Sequence, residues 1–125
     1  MLLVNASMGR SRIHGRGLIA RESIPADTVI WILRPGFDVV MSRDQFEELS
    51  QNARDQIRRF IYTEIATGHY VLCSDDAKYM NHSDTPNTRT EGTQTITIQD
   101  IQPGQEITCN YCEFDAATRQ STVDV

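Results

Sequence analysis

The hydrophobic positions fall in short runs broken by Gly, Pro and Asp, with one longer periodic stretch. Residues 2–4 and 10–20 mix apolar positions with Gly and Arg and predict short strands. "SIPADTVIWIL" is a turn followed by an apolar run rich in β-branched residues, which reads as a buried strand, and "RPGFD" ends it. Between residues 43 and 62 the period changes. Phe46, Leu49, Ala53, Ile57, Phe60 and Ile61 recur at spacings of three and four, one apolar stripe against a charged face. Ser42 is the expected N-cap, and Gln45 stands where a capping box needs it. "SQN" offers a break that would split this helical region in two. Beyond it, "HYVLC" reads as a strand, "QTITIQDI" alternates as a second, "PGQ" turns, and "EITCNY" forms the last. The tail "DAATRQSTVDV", residues 115–125, carries little signal. These elements predict a mainly β fold with a short helical insert.

At 125 residues the chain fits a single domain, 1–125, with one modest core. Apolar residues at 39% and charged residues at 23% argue against disorder. No apolar run approaches the ~20 residues of a membrane span, so no membrane partner is expected. "MLLVNASMGRSR" has no basic segment ahead of its apolar stub and does not read as a signal peptide, which makes a cytoplasmic location the expectation. The net charge is −5, and basic residues cluster only in "GRSRIHGRG" and "RDQIRR". That balance suits a small molecule or a cationic partner; direct nucleic acid binding is not expected. Of 12 basic residues only Lys78 is a lysine. Either codon bias toward arginine or avoidance of lysine by a protein that acts on lysine accounts for this. Cys73, Cys109 and Cys112 are odd in number, which points to reduced thiols.

A dense polar stretch, "YMNHSDTPNT", runs from Tyr79 to Thr88, opening on an aromatic and a methionine. Such residues cost free energy if buried without partners. It lies second in an ordered trio, after "GRGLIARESIPADTVIW" and before "IQPGQEITCNY". The trio resembles the SET domain, the fold of protein lysine methyltransferases, from about Ser11 to Phe114. The resemblance implies a SET fold of the β-clip type: small curled β-sheets around a C-terminal pseudoknot, in which the segment after the last strand tucks through a loop near the Asn-His-Ser motif. It implies S-adenosylmethionine as cofactor. Gly15, Arg16 and Gly17 match the family's Gly-x-Gly, where main chain approaches the cofactor without a Cβ in the way. Asn81 and His82 match its cofactor contacts, and Asn87 matches a residue that fixes the knot loop. Tyr111 matches the catalytic tyrosine, whose hydroxyl stands beside the transferring methyl. Glu106 is expected to support the last strand, and Tyr62 and Tyr70 to wall a lysine channel.

Some positions depart from the family's pattern. Relatives with a zinc-binding tail carry a Cys directly after Asn-His-Ser; here Asp84 stands there, and no Cys or His follows Phe114, so no metal is expected. Cys109 replaces a frequent aromatic. With a short tail, Phe114 or a second subunit would cover the adenine, which makes a homodimer an open option. The implied activity is S-adenosylmethionine-dependent lysine N-methylation of a protein or peptide. Glu47, Glu48, Asp75 and Asp76, expected to be exposed, suggest a basic lysine-containing segment as substrate. The alternative is a catalytically silent SET-like module that binds a peptide or cofactor. A thiol redox role for Cys109 and Cys112 lacks the βαβ context such motifs need.

Overall fold

The computed structural model describes residues 1–118; residues 119–125 of the tail lie outside the described residues. Ten short strands form three small sheets. In the first, β1 (Ala6–Arg10) and β2 (Arg16–Ala20) make an antiparallel hairpin registered from Ala6↔Ala20 to Arg10↔Arg16. The expected strand at residues 2–4 is reduced to an isolated bridge, Leu2↔Trp31. The predicted run 10–20 is instead a strand end, a loop and β2. Here cross-strand pairing overrides local pattern: β1, "ASMGR", has too little apolar alternation to announce itself. Gly9 admits the close approach of β2, since a Cβ there would stand 2.7 Å from Ile19 Cγ1.

On its other edge β2 pairs antiparallel with β10 (Glu106–Cys109) through Ile19↔Glu106 and Leu18↔Ile107. β10 in turn runs parallel to β7 (Asn81–His82), matching Thr108↔Asn81 and Cys109↔His82. This sheet therefore has the order β1-β2-β10-β7. The second sheet is β3-β9-β8, from Val29–Ile32, Gln94–Thr97 and Thr88–Glu91. The third is β4-β6-β5, from Val39–Met41, Tyr70–Leu72 and Tyr62–Thr63. β4, β5 and β8 escape sequence reading because each is short and takes its order from the strand it pairs with.

The helical insert is two helices, not one. α1 spans Arg43–Glu47 and α2 spans Gln51–Ile57. The Ser42 capping box is present: Gln45 N–H donates to Ser42 Oγ (3.1 Å), and Ser42 N–H donates to Gln45 Oε1 (2.8 Å). Ser50 then caps α2 through Ala53 N–H (3.2 Å), which is why the chain restarts a helix at "SQN". The predicted helix also overruns, because Tyr62 is taken into β5 by its pairing with Val71. Of the apolar stripe, only Phe46 is fully buried. No helix of the described residues is long and apolar enough to cross a membrane.

Leu18, Ala20, Ile24, Ile30, Trp31, Ile101 and Ile107 form the shared core that joins sheets too small to stand alone. Asp38, buried beside it, is satisfied by the N–H groups of Arg34 (2.9 Å) and Ser74 (3.3 Å) and by the Met1 ammonium (3.0 Å). Ile107 has no exposed surface and sits between β2 and β7. Ile107→Ala is expected to cost about 2–5 kcal/mol, and Ser42→Ala about 1 kcal/mol. Urea unfolding monitored by circular dichroism measures both; equal losses would refute the placement of Ile107 in the core.

Candidate active site

The site is built on the two ends of β10. At its start, the Glu106 carboxylate holds the β1–β2 loop. Glu106 Oε1 accepts from Ser11 Oγ (2.7 Å), and Oε2 accepts from Asn81 Nδ2 (2.9 Å). Ser11 Oγ accepts the N–H groups of Ile13 (2.9 Å) and His14 (3.1 Å), while Ser11 N–H donates to Gly15 O (2.9 Å). Asn81 Nδ2 also lies 2.9 Å from Arg16 O and 3.3 Å from His14 O. An amide nitrogen has two hydrogens, and the two 2.9 Å acceptors, Arg16 O and Glu106 Oε2, are the best placed to take them. Among the described residues no protein donor reaches Asn81 Oδ1. The clasp thus ends in an open acceptor beside the loop.

The two glycines of this loop serve different needs. Gly15 is at φ +48°, and a Cβ on it would meet nothing within 4 Å, so its constraint is conformational. Gly17 is a matter of space: a Cβ would lie 2.5 Å from Glu106 Oε2 and 2.8 Å from its Cδ. Arg16 lends its carbonyl, and its side chain is exposed. Asn87 pins the same strand, donating from Nδ2 to Glu106 O (2.9 Å) and accepting Thr108 N–H at Oδ1 (2.8 Å).

At the end of β10 the chain turns into a 3₁₀ turn, Tyr111–Glu113, capped by Asn110 Oδ1 on Cys112 N–H (3.0 Å). His82 faces it from β7. Its Nδ1 accepts Tyr111 N–H (3.1 Å), so the ring hydrogen belongs on Nε2, 3.0 Å from Asp84 Oδ1. The Tyr111 hydroxyl donates to Met80 O (2.8 Å). Burial pushes this phenol up to about 12, so it remains a neutral hydroxyl. The Tyr111 ring stands 5.3 Å from His82 and 5.8 Å from Phe114, and Phe114 stands 5.1 Å from Tyr62.

Tyr62, Tyr111 and Phe114 line one cavity of about 670 Å³. Tyr70 does not line it; its ring packs edge-on against Phe46 of α1, 5.0 Å away. Gly15, Arg16, Gly17, Asn81 and His82 lie outside the lining, in the clasp and its strand. Sequence reading passed over Ser11, Met80, Phe60 and Trp31. Ser11 had a signal in standing before the Gly-x-Gly loop. Met80 acts through its carbonyl, which no sequence pattern marks. Cys73 and Cys109 are also in the cavity wall; burial raises both thiols, Cys73 to about 12, and keeps them protonated. Among the described residues no three His, Cys, Asp or Glu side chains converge as a metal site.

The acidic face expected from sequence is corrected in part. Asp75 accepts the N–H groups of Leu2 (2.7 Å) and Ala77 (3.1 Å), Asp76 accepts that of Met8 (2.9 Å), and both are half-buried. Glu47 and Glu48 are exposed, with Glu47 bonded to Arg54 (2.8 Å). None of the four lines the cavity; Glu64, Glu113 and Asp115 do.

Residues 15–112, from the Gly-x-Gly loop through the turn that carries Tyr111, match the family model of the SET domain. The chain belongs to the SET domain family. Its fold is similar to that of a Plasmodium falciparum protein assigned as a histone methyltransferase, at 22% identity and a TM-score of 0.62 over 88% of this chain and 95% of that one. It is also similar to part of Polycomb Repressive Complex 2 from Chaetomium thermophilum. A humanized mutant bound to an inhibitor gives 23% identity and a TM-score of 0.67, covering 93% of this chain and 16% of that one. An autoinhibited form bound to S-adenosylmethionine gives 18% and 0.65, covering 97% and 17%. At these identities the likeness establishes the SET fold. Comparison with curated proteins returned no match.

The clasp makes Gly17→Ala an overpacking substitution, expected to destabilise by about 1–3 kcal/mol. Shortening the opposing side chain in Gly17→Ala/Glu106→Asp is expected to recover part of that loss. A double-mutant cycle of urea midpoints tests this; strict additivity would remove the steric contact from the account.

Proposed function

We propose that this SET domain is an S-adenosylmethionine-dependent protein lysine N-methyltransferase. The observation that carries the reading is the continuous link between two unlike places. β7 and β10 join an open polar clasp at Asn81 to an aromatic cavity at Tyr111, through the His82–Tyr111 hydrogen bond.

The clasp suits the amino-acid end of S-adenosylmethionine. Asn81 Oδ1 is an acceptor without a protein donor among the described residues, and the Gly-x-Gly backbone beside it carries no Cβ at two of three positions. Asn81 and the loop would hold the cofactor, with His82 and Phe114 along its length. When bound, the cofactor supplies an electrophilic methyl group on a sulfonium. The chain's own residues then have positional tasks. Tyr62 and Phe114 present an apolar wall for the aliphatic arm of a lysine and limit water around it. Tyr111 offers a neutral hydroxyl oxygen, its hydrogen fixed on Met80 O and its lone pairs left to orient an amine or to face a polarised methyl. Such preorganised polar groups act mostly on the transition state. No covalent enzyme intermediate is called for. Glu64, Glu113 and Asp115 outnumber Arg59 and Lys78 in the cavity wall, an excess of negative charge that favours a basic peptide.

Tyr111→Phe is expected to lower kcat by about 10²-fold or more, with cofactor affinity and melting temperature little changed. Near-normal turnover on a verified substrate would remove the catalytic role. Asn81→Ala is expected to weaken S-adenosylmethionine binding by about 1–3 kcal/mol in calorimetry. A wild type that binds the cofactor yet methylates no protein in any lysate would be a silent binding module.

A further inference from the structure

The chain's one lysine lines the cavity that this reading assigns to a lysine. Lys78 lies in the 3₁₀ turn Asp76–Tyr79, two residues before Met80, the residue whose carbonyl holds the Tyr111 hydroxyl. It lines the same cavity as Tyr111, Tyr62 and Phe114. Its ammonium has no ion pair among the described residues, although the chain carries 17 acidic residues. It rests instead on two rings, 5.5 Å from the centroid of Phe60 and 5.5 Å from that of Tyr79. Those rings meet edge-to-face at 5.5 Å. Arg59 also lies over Phe60, 4.8 Å from its centroid, so of the two cations on this wall only Lys78 carries an amine, held by aromatic faces as a substrate ammonium would be.

We propose that Lys78 is a site of intramolecular self-methylation. The proposal rests on the methyltransferase reading above. Lys78 Nζ, having lost a proton to water, uses its lone pair to form a bond to the methyl carbon of the S-adenosylmethionine sulfonium. The sulfur–methyl bond breaks and its electron pair stays on sulfur, leaving S-adenosylhomocysteine as a neutral thioether. The alkylated nitrogen is left as a methylammonium of unchanged charge. That product keeps its seat on Phe60 and Tyr79, since aromatic faces hold alkylated ammonium groups well. The cavity then starts each reaction with its own arm already in it or already modified.

The test uses the full chain, purified from cells lacking S-adenosylmethionine synthesis or demethylated beforehand, and incubated with methyl-deuterated S-adenosylmethionine. Peptide mapping by mass spectrometry is expected to place the label on Lys78, at a first-order rate independent of protein concentration. Tyr111→Phe is expected to abolish the label, and Lys78→Arg to remove it without lowering the melting temperature. A second readout needs no turnover: acylation of Lys78 by an amine-reactive ester is expected to slow when S-adenosylhomocysteine is added. Label on another residue, a rate that rises with protein concentration, or acylation unaffected by S-adenosylhomocysteine overturns the proposal. If Lys78 stays unlabelled while the protein methylates a lysate substrate, self-methylation fails and the methyltransferase reading stands. If the chain neither binds S-adenosylmethionine nor transfers label to any protein, both fail.

Discussion

One carboxylate joins the pieces of chain that make the site. Glu106 stands beneath Gly17, where a single added carbon would collide with it, and its two oxygens hold Ser11 and Asn81. Those bonds tie three pieces of chain: the β1–β2 loop, β7 and β10. A charged oxygen accepting from hydroxyl and amide forms stronger bonds than neutral pairs do. Leaving it unpaired while half-buried would cost the desolvation of a carboxylate. The clasp is therefore stable only when all three pieces are in place, and that condition brings the Gly-x-Gly loop to Asn81.

The dense polar stretch is explained by the same economy of partners. His82 receives the Tyr111 N–H, and Asn87 holds both Glu106 and Thr108 of β10. Thr88, fully buried, donates to Thr108 O at 2.7 Å. Ser83 Oγ caps the turn at Thr85 N–H, 3.0 Å away. These residues substitute for the ladder that longer strands would have provided. Where β7 has only two residues, side chains do the pairing. The result positions Tyr111 from both sides, backbone by His82 and hydroxyl by Met80.

The proposed self-methylation of Lys78 also gives the scarcity of lysine a local meaning. Arg59 lies over Phe60 at 4.8 Å on the same aromatic wall, yet a guanidinium is not an acceptor of the same kind as an amine. Two cations therefore share one ring, and only one of them has the chemistry of the proposed reaction.

The sequence determined the elements whose causes are local. Ser42 and Gln45 dictate a capping box by their spacing, and Ser50 stops and restarts the helix because a hydroxyl competes for the next N–H groups. β3 and β9 follow from β-branched and alternating runs. The trio of motifs, read as a set, named the family and marked Tyr111, Asn81 and the Gly-x-Gly loop. Tertiary structure decided what depends on partners far along the chain. β1, β4 and β5 exist because a neighbour pairs with them. Gly17 is required by Glu106, 89 positions away along the numbering. Tyr62 and Tyr70 look alike in sequence, yet one packs on Phe114 in the cavity and the other on Phe46. Asp75 and Asp76 look like surface charges and are bound to backbone N–H groups near the start of the chain. Packing and hydrogen-bond closure are properties of pairs, and a pair separated by many residues leaves no period in the sequence.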